Sequence, residues 1–342
     1  MADAASREAV RAAVLAGDRA DARGQGVLAG AFVAIALVFA AIAAALGDTF
    51  FFRLATEALI LGGVAMAVDL LLGYTGLLSL GHALFFGFGA YVSGLVLKEW
   101  TPSFWAAVGV TLAASALLGV VAGVIAIRAR GVYFALITFG LAQVVFKAVF
   151  NTRELGGSDG IIGIPQIVVN LGILSVPASS AGGFFLVTLA FVMALYAALA
   201  WLMRTPFGRL LVAVRANEPR VPFLGFSPWI VKLTAFVLAA VVAALCGSLY
   251  PMLRGVVSPE LLMFQTSGNA VIMVILGGVG TLVGPLYGAV ILTGLKSIIG
   301  TWTEHHLILI GALFMVSVIF LPKGLAGFVL PRLRARFARN GS

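Results

Sequence analysis

Long apolar runs that no acid or base interrupts constrain this chain more than any other feature. From Gly26 to Gly47 there is no charged residue at all, and an apolar stretch of about 18 or more residues reads as a transmembrane helix. The runs do not alternate between apolar and polar, so they predict helices rather than the strands of a closed barrel, the other backbone that satisfies itself in hydrocarbon. Further spans are expected at Leu54–Gly73, Ser79–Leu97, Ser103–Ile127, Gly131–Phe150, Gly183–Met203, Trp229–Tyr250, Ser267–Gly280, Gly284–Gly300 and Leu307–Leu321. Composition closes off the soluble alternative: 62% of the residues are hydrophobic and 10% charged, against about 25% charged in a globular domain. The expected fold class is all-α, a polytopic transmembrane bundle of about ten helices. The range is eight to ten, because the eighth and ninth spans are short, Gly-rich and joined with almost no loop, as broken or re-entrant helices are.

Charge placement orients the bundle. Residues 1–25 mix Arg7, Arg11, Arg19 and Arg23 with four acids before the first long run, unlike a signal peptide, so Gly26–Gly47 is expected to persist as the first span behind a cytoplasmic arm. With ten spans, Arg128, Arg130, Arg204, Arg209, Arg215, Arg220, Lys323, Arg332, Arg334, Arg336 and Arg339 share the side of that arm, while Arg53, Lys98, Arg153 and Arg254 lie opposite. Short basic loops resist translocation, which predicts cytoplasmic termini, a basic tail at 323–342 and a topological meaning for the net charge of +9. Nucleic acid is not an expected partner; membrane lipid is.

Two connections exceed a turn. The external one, 151–182, contains NTRELGGSDGIIGIP; the cytoplasmic one, 204–228, reads RTPFGRLLVAVRANEPRVPFLGFSP. Within the latter, Phe207, Leu210, Leu211 and Val214 recur at helical spacing, predicting a short amphipathic helix at the membrane face. No G-x-x-x-x-G-K-[ST] run occurs, so any ATP and Mg must be held by partners and no cofactor is expected in this chain. GGVGTLVG at 277–284 lacks the strand–helix context of a dinucleotide loop. Gly280, Gly284 and Gly288 recur at every fourth residue, a stripe that would let a neighbouring helix approach. GYTGLLSLGHALFFGFGAY at 73–91 is a second Gly-rich stretch carrying Gly73, Gly76, Ser79, Gly81 and His82. Paired irregular segments mark either a translocation path or close packing.

The remaining polar residues attract plainer readings. His82 is expected to cap or pack, His305 and His306 lack further metal ligands nearby, and the only cysteine, Cys246, is expected to pack. Glu57, Asp69 and Lys296 fall within spans yet short of the midplane, and are expected to be interfacial charges. An ion-coupled transporter would place acids deeper.

GYTGLLSLGHALFFGFGAY at 73–91, RGVYFALITFGLAQV at 130–144, ELGGSDGIIGIP at 154–165, TPFGRLLVAVRANEPRVPFLGF at 205–226, ILGGVGTLVGPLYGAVI at 275–291 and LPKGLAG at 321–327 stand in this order. In them the chain resembles the LivM-type permeases of branched-chain amino acid ABC importers. Urea and short-chain amide permeases look similar, and Asp69 departs from the neutral polar residue the pattern leads one to expect. The resemblance implies a non-enzymatic subunit of the bacterial inner membrane working by alternating access, with a homologous second permease, two cytoplasmic ATP-binding subunits and a periplasmic substrate-binding protein. Phe207, Gly208, Arg209, Ala213, Arg215, Glu218 and Arg220 would then couple to the ATPase, and Glu154, Ser158 and Asp159 would meet the binding protein.

Overall fold

The computed structural model describes residues 2–170, 175–302 and 324–339 and isolated positions between 308 and 320; for residues 2–22 and beyond Arg332 it describes the backbone alone. In chain order the helices are α1 (Ala2–Leu46), α2 (Thr49–Asp69), α3 (His82–Leu95), α4 (Phe104–Ala126), α5 (Val132–Asn151), α6 (Ala181–Arg204), α7 (Pro206–Asn217), α8 (Pro228–Ser248), α9 (Tyr250–Arg254), α10 (Phe264–Gly277) and α11 (Gly284–Trp302). A C-terminal helix covers Gly324–Arg339. Among the described residues, six helices are long and apolar enough to cross a membrane. Every expected span from the first to the ninth overlaps a helix, and the tenth falls largely outside the described residues.

Helix α2 is the centre. The Asp48 carboxylate accepts the Phe50 N–H at 2.8 Å and starts it, and a wider π turn, Leu70–Thr75, extends it. From Ala58 onward α2 is buried almost all round, between α6, α8, α10 and α11. Lipid tails are as apolar as leucine, so helices associate through close packing at small residues. Gly62 accordingly faces Leu286 and Ala289 of α11, and Gly63 faces Cys246 of α8, which packs as expected. The periphery is apolar and exposed, with Ile35 of α1, Leu117 of α4 and Val144 of α5 turned outward, as a hydrocarbon solvent requires.

The two ends differ. One gathers α7, the 278–283 turn and the C-terminal helix, whose Leu330 lies against Gly24 of α1. At the other, β1 (Ile161–Ile162) pairs antiparallel with β4 (Val256–Val257), and β2 (Val168–Asn170) with β3 (Ser175–Pro177). Trp105 Nε1 donates to the Asn170 carbonyl at 2.8 Å. The long connection between α5 and α6 is thus stitched to the rest of that end.

Two expectations need correction. Helix α3 begins at His82, not Ser79, because the chain leaves the π turn at Gly76 and runs non-helically to Gly81. The stripe of Gly280, Gly284 and Gly288 is broken: α10 ends at Gly277, and Gly278, Gly280 and Leu282 all have positive φ, which no α-helix accommodates. Gly284 and Gly288 do face α10, on Gly277 and Met273. With 14 residues, α10 is about 21 Å long, short of the roughly 30 Å hydrocarbon core.

Candidate coupling and translocation site

Asp69 ends α2 facing the turn between α10 and α11. Its Oδ1 accepts the Gly280 N–H at 2.6 Å, and its Oδ2 accepts those of Thr281 at 3.1 Å and Leu282 at 2.9 Å. A carboxylate offers acceptors only, and this turn presents a run of donors. The reading of Asp69 as an interfacial charge is overturned: it lies near the helix end but is fully buried, because the turn covers it with N–H groups. Beside it the two Gly-rich stretches touch. A Cβ on Gly73 would lie 2.5 Å from the Gly280 nitrogen, so neither backbone could approach the other past a side chain.

Arg215, near the end of α7, reaches the same spot. Its guanidinium donates to the Gly73 carbonyl, and its side chain packs on Gly76. Glu218 follows in the 3-10 turn Glu218–Leu224 and accepts from Lys232 of α8 at 2.7 Å. Lys232 is buried, so this pair holds a charge that would otherwise be unpaired. A polar cavity of about 250 Å³ opens between them, lined by Thr75, Arg130, Arg215, Glu218 and Lys232. Four segments therefore converge: the end of α2, the 278–282 turn, α7 and the start of α8.

The amphipathic helix expected around Phe207–Ala216 is α7, but its apolar face serves its own chain. Leu211 and Val214 are buried, Phe207, Leu210 and Ala213 pack half-buried against the bundle, and Gly208 lies against the Met203 backbone at the tight turn from α6. The exposed surface carries Arg209, Val212, Ala216 and Arg220, continued by Phe223, 89% exposed, with Leu224 and Phe226. The sequence reading placed these last three within the connection 204–228 but did not single them out. The signal was present, since three large apolar residues flank a Pro-rich turn that cannot bury them all.

Of the other expected residues, Ser79 and His82 are buried together, Ser79 Oγ lying 3.0 Å from His82 Nδ1. The imidazole sits among Phe85 and Phe236, the packing role expected. Gly81 lies against the Thr138 backbone of α5. Glu154, Ser158 and Asp159 are exposed on one turn, remote in sequence and end from α7. His305 and His306 lie outside the described residues. Glu57 is not a lone interfacial charge: Arg254 of α9 donates to it, and Lys296 of α11 lies within its electrostatic reach.

A deep helical bundle with an apolar perimeter and its polar contacts gathered at the ends is a multi-pass membrane protein of the permease class. Residues 50–318 match the model of the family described as branched-chain amino acid transport system / permease component, and the chain belongs to that family. The high-affinity branched-chain amino acid transport system permease protein LivM of Salmonella typhimurium (strain LT2) is 29% identical over 304 residues, covering 83% of this chain and 71% of its own. The protein of the same name from Escherichia coli (strain K12) is 28% identical over 294 residues, covering 80% and 69%. No solved structure matches the chain.

Proposed function

We propose that this chain is one of two homologous permease subunits of a binding-protein-dependent ABC importer for branched-chain amino acids in the bacterial inner membrane. Its termini and α7 face the cytoplasm, and the end bearing β1 to β4 faces the periplasm, where Glu154, Ser158 and Asp159 receive the binding protein. Two ATP-binding subunits grip the surface of Arg209, Val212, Arg220 and Phe223, and their closure drives alternating access. The observation that supports this best is the contact of Arg215 with Gly73: a push on α7 reaches both Gly-rich turns at once. The membership in the permease family supplies the substrate class.

The test is reconstitution in proteoliposomes. The permease pair with ATPases, binding protein and internal ATP should import leucine, isoleucine or valine, and this chain alone should import none. Import by the chain alone under an ion gradient would make it a secondary transporter. Import of urea or short amides in place of amino acids would move the substrate class.

A further inference from the structure

The contacts of α10 with α11 fix a register. Gly277 faces Gly284 and Met273 faces Gly288, an antiparallel pairing that, continued outward, brings Lys296 level with the first turn of α10 at Phe264 and Gln265. Outward of that level α10 no longer covers α11. Here the structure collects charge: Glu57 on α2, Arg254 on α9 and Lys296 on α11, with Arg254 also bonded to the Tyr250 hydroxyl. Glu57 lies about 12 Å along α2 from Thr49 and Lys296 about 9 Å along α11 before Trp302, so both stand inside their helices.

Charges within membrane helices almost always face the protein interior or a water-filled cavity. These are not interior: the Arg254 side chain is 46% exposed and that of Glu57 22%, and Phe264 and Gln265 at the start of α10 are exposed too. A helix end with free N–H groups is tolerated at depth only where it is covered by protein or lines a water-filled cavity. Among the described residues Lys296 has no ion-pair partner, while Glu57 is already shared with Arg254. The cluster thus pairs Glu57 with Arg254, leaves Lys296 unpaired and has Glu260 within electrostatic reach of Tyr250, so groups of both signs are open to a ligand bearing both charges.

We propose that Glu57, Arg254 and Lys296 line the outer part of the translocation path, on the surface this chain turns to the second permease, and bind the zwitterionic head of the transported amino acid. Lys296 and Arg254 take the α-carboxylate and Glu57 the α-ammonium; the apolar side chain is left free, which suits several branched-chain substrates. This rests on the function proposed above. An alternative role for Lys296, snorkelling along α11 to the interface, needs no substrate.

The experiment uses the whole reconstituted importer with Lys296→Cys, the native Cys246 being buried. Trimethylammonium-ethyl methanethiosulfonate, which restores a cation, and sulfonatoethyl methanethiosulfonate, which installs an anion, are added from the binding-protein side. The expected results are reaction with both reagents, slowed by leucine, and leucine uptake lowered about tenfold or more by the substitution. The cationic reagent should recover uptake and the anionic one should not, and Lys296→Arg should retain it. No reaction would place the residue against lipid or packing and overturn the proposal. So would reaction indifferent to leucine, or uptake indifferent to the charge installed. Labelling and its slowing by leucine are read without transport, so failure of the wild-type complex to import amino acids would refute the function and still leave this site decided.

Discussion

Asp69→Asn is the sharpest perturbation of the clip between α2 and the 278–282 turn. Asparagine keeps the volume but replaces one carboxylate oxygen by an NH2 group. The amide settles with its oxygen in place of Oδ2, keeping the Thr281 and Leu282 N–H groups, and sets its own donors against the Gly280 N–H, where the native separation is 2.6 Å. One hydrogen bond to a charged acceptor is lost, a cost of about 1.5–3 kcal/mol, and the two retained bonds fall to neutral strength. Relief from burying a charge offsets part of this, leaving a net loss of about 2 kcal/mol. At roughly 2–4 °C per kcal/mol the melting temperature should drop by about 4–8 °C at most. Thermal unfolding of the purified complex, followed by size exclusion, measures it. Asp69→Ala should fall further, because three buried N–H groups are then orphaned. A melting temperature for both variants within about 1 °C of the native protein would refute the reasoning, since an orphaned buried donor costs about 1–3 kcal/mol.

Glu218→Lys strands the buried Lys232, at a cost of about 3–5 kcal/mol; membrane abundance should fall and recover when Lys232→Glu is added, and failure of that rescue would dismiss the pair. Phe223→Ala should weaken association with the ATPase subunits about 30-fold, a loss near 2 kcal/mol for an exposed aromatic anchor, with normal membrane abundance; unchanged co-purification would count against the docking surface. Tags after Arg220 and at the C-terminus should report cytoplasm and a tag near Gly157 periplasm, and finding Gly157 and Arg220 on one side would end the topology. Reversing both Glu154 and Asp159 should lower affinity for the binding protein; unchanged affinity and uptake would assign the loop a structural role only.

The bundle was legible because hydrocarbon leaves a span few choices: an uninterrupted run such as Gly26–Gly47 has to be helical, and α1, α4, α5 and α6 lie where such runs lie. Where α3 begins and α10 ends was less legible, since glycines fit both a helix stripe and a turn, and only the positive φ of Gly278 and Gly280 decides. Helix α7 was found by its period, but period alone cannot say whether an apolar face docks on its own chain or on another. Leu211 and Val214 turn inward, leaving the exposed role to Phe223. Asp69 and Glu57 were misjudged, and the contact of Arg215 went unseen, for one reason. Their partners, Leu282, Arg254 and Gly73, lie far away in sequence, and spacing carries no trace of them.

The pairing of β1 with β4 sets a limit on motion. It fastens the segment after α5 to the segment between α9 and α10, with Ile161 opposite Val257 and Ile162 opposite Val256. Opening this end within the chain would require unzipping that ladder, whereas tilting the chain as a whole would leave it intact. An importer built on it would open like a pair of hands parting at the fingertips, each hand stiff, with the hinge in the seam between two polypeptides and none inside either one.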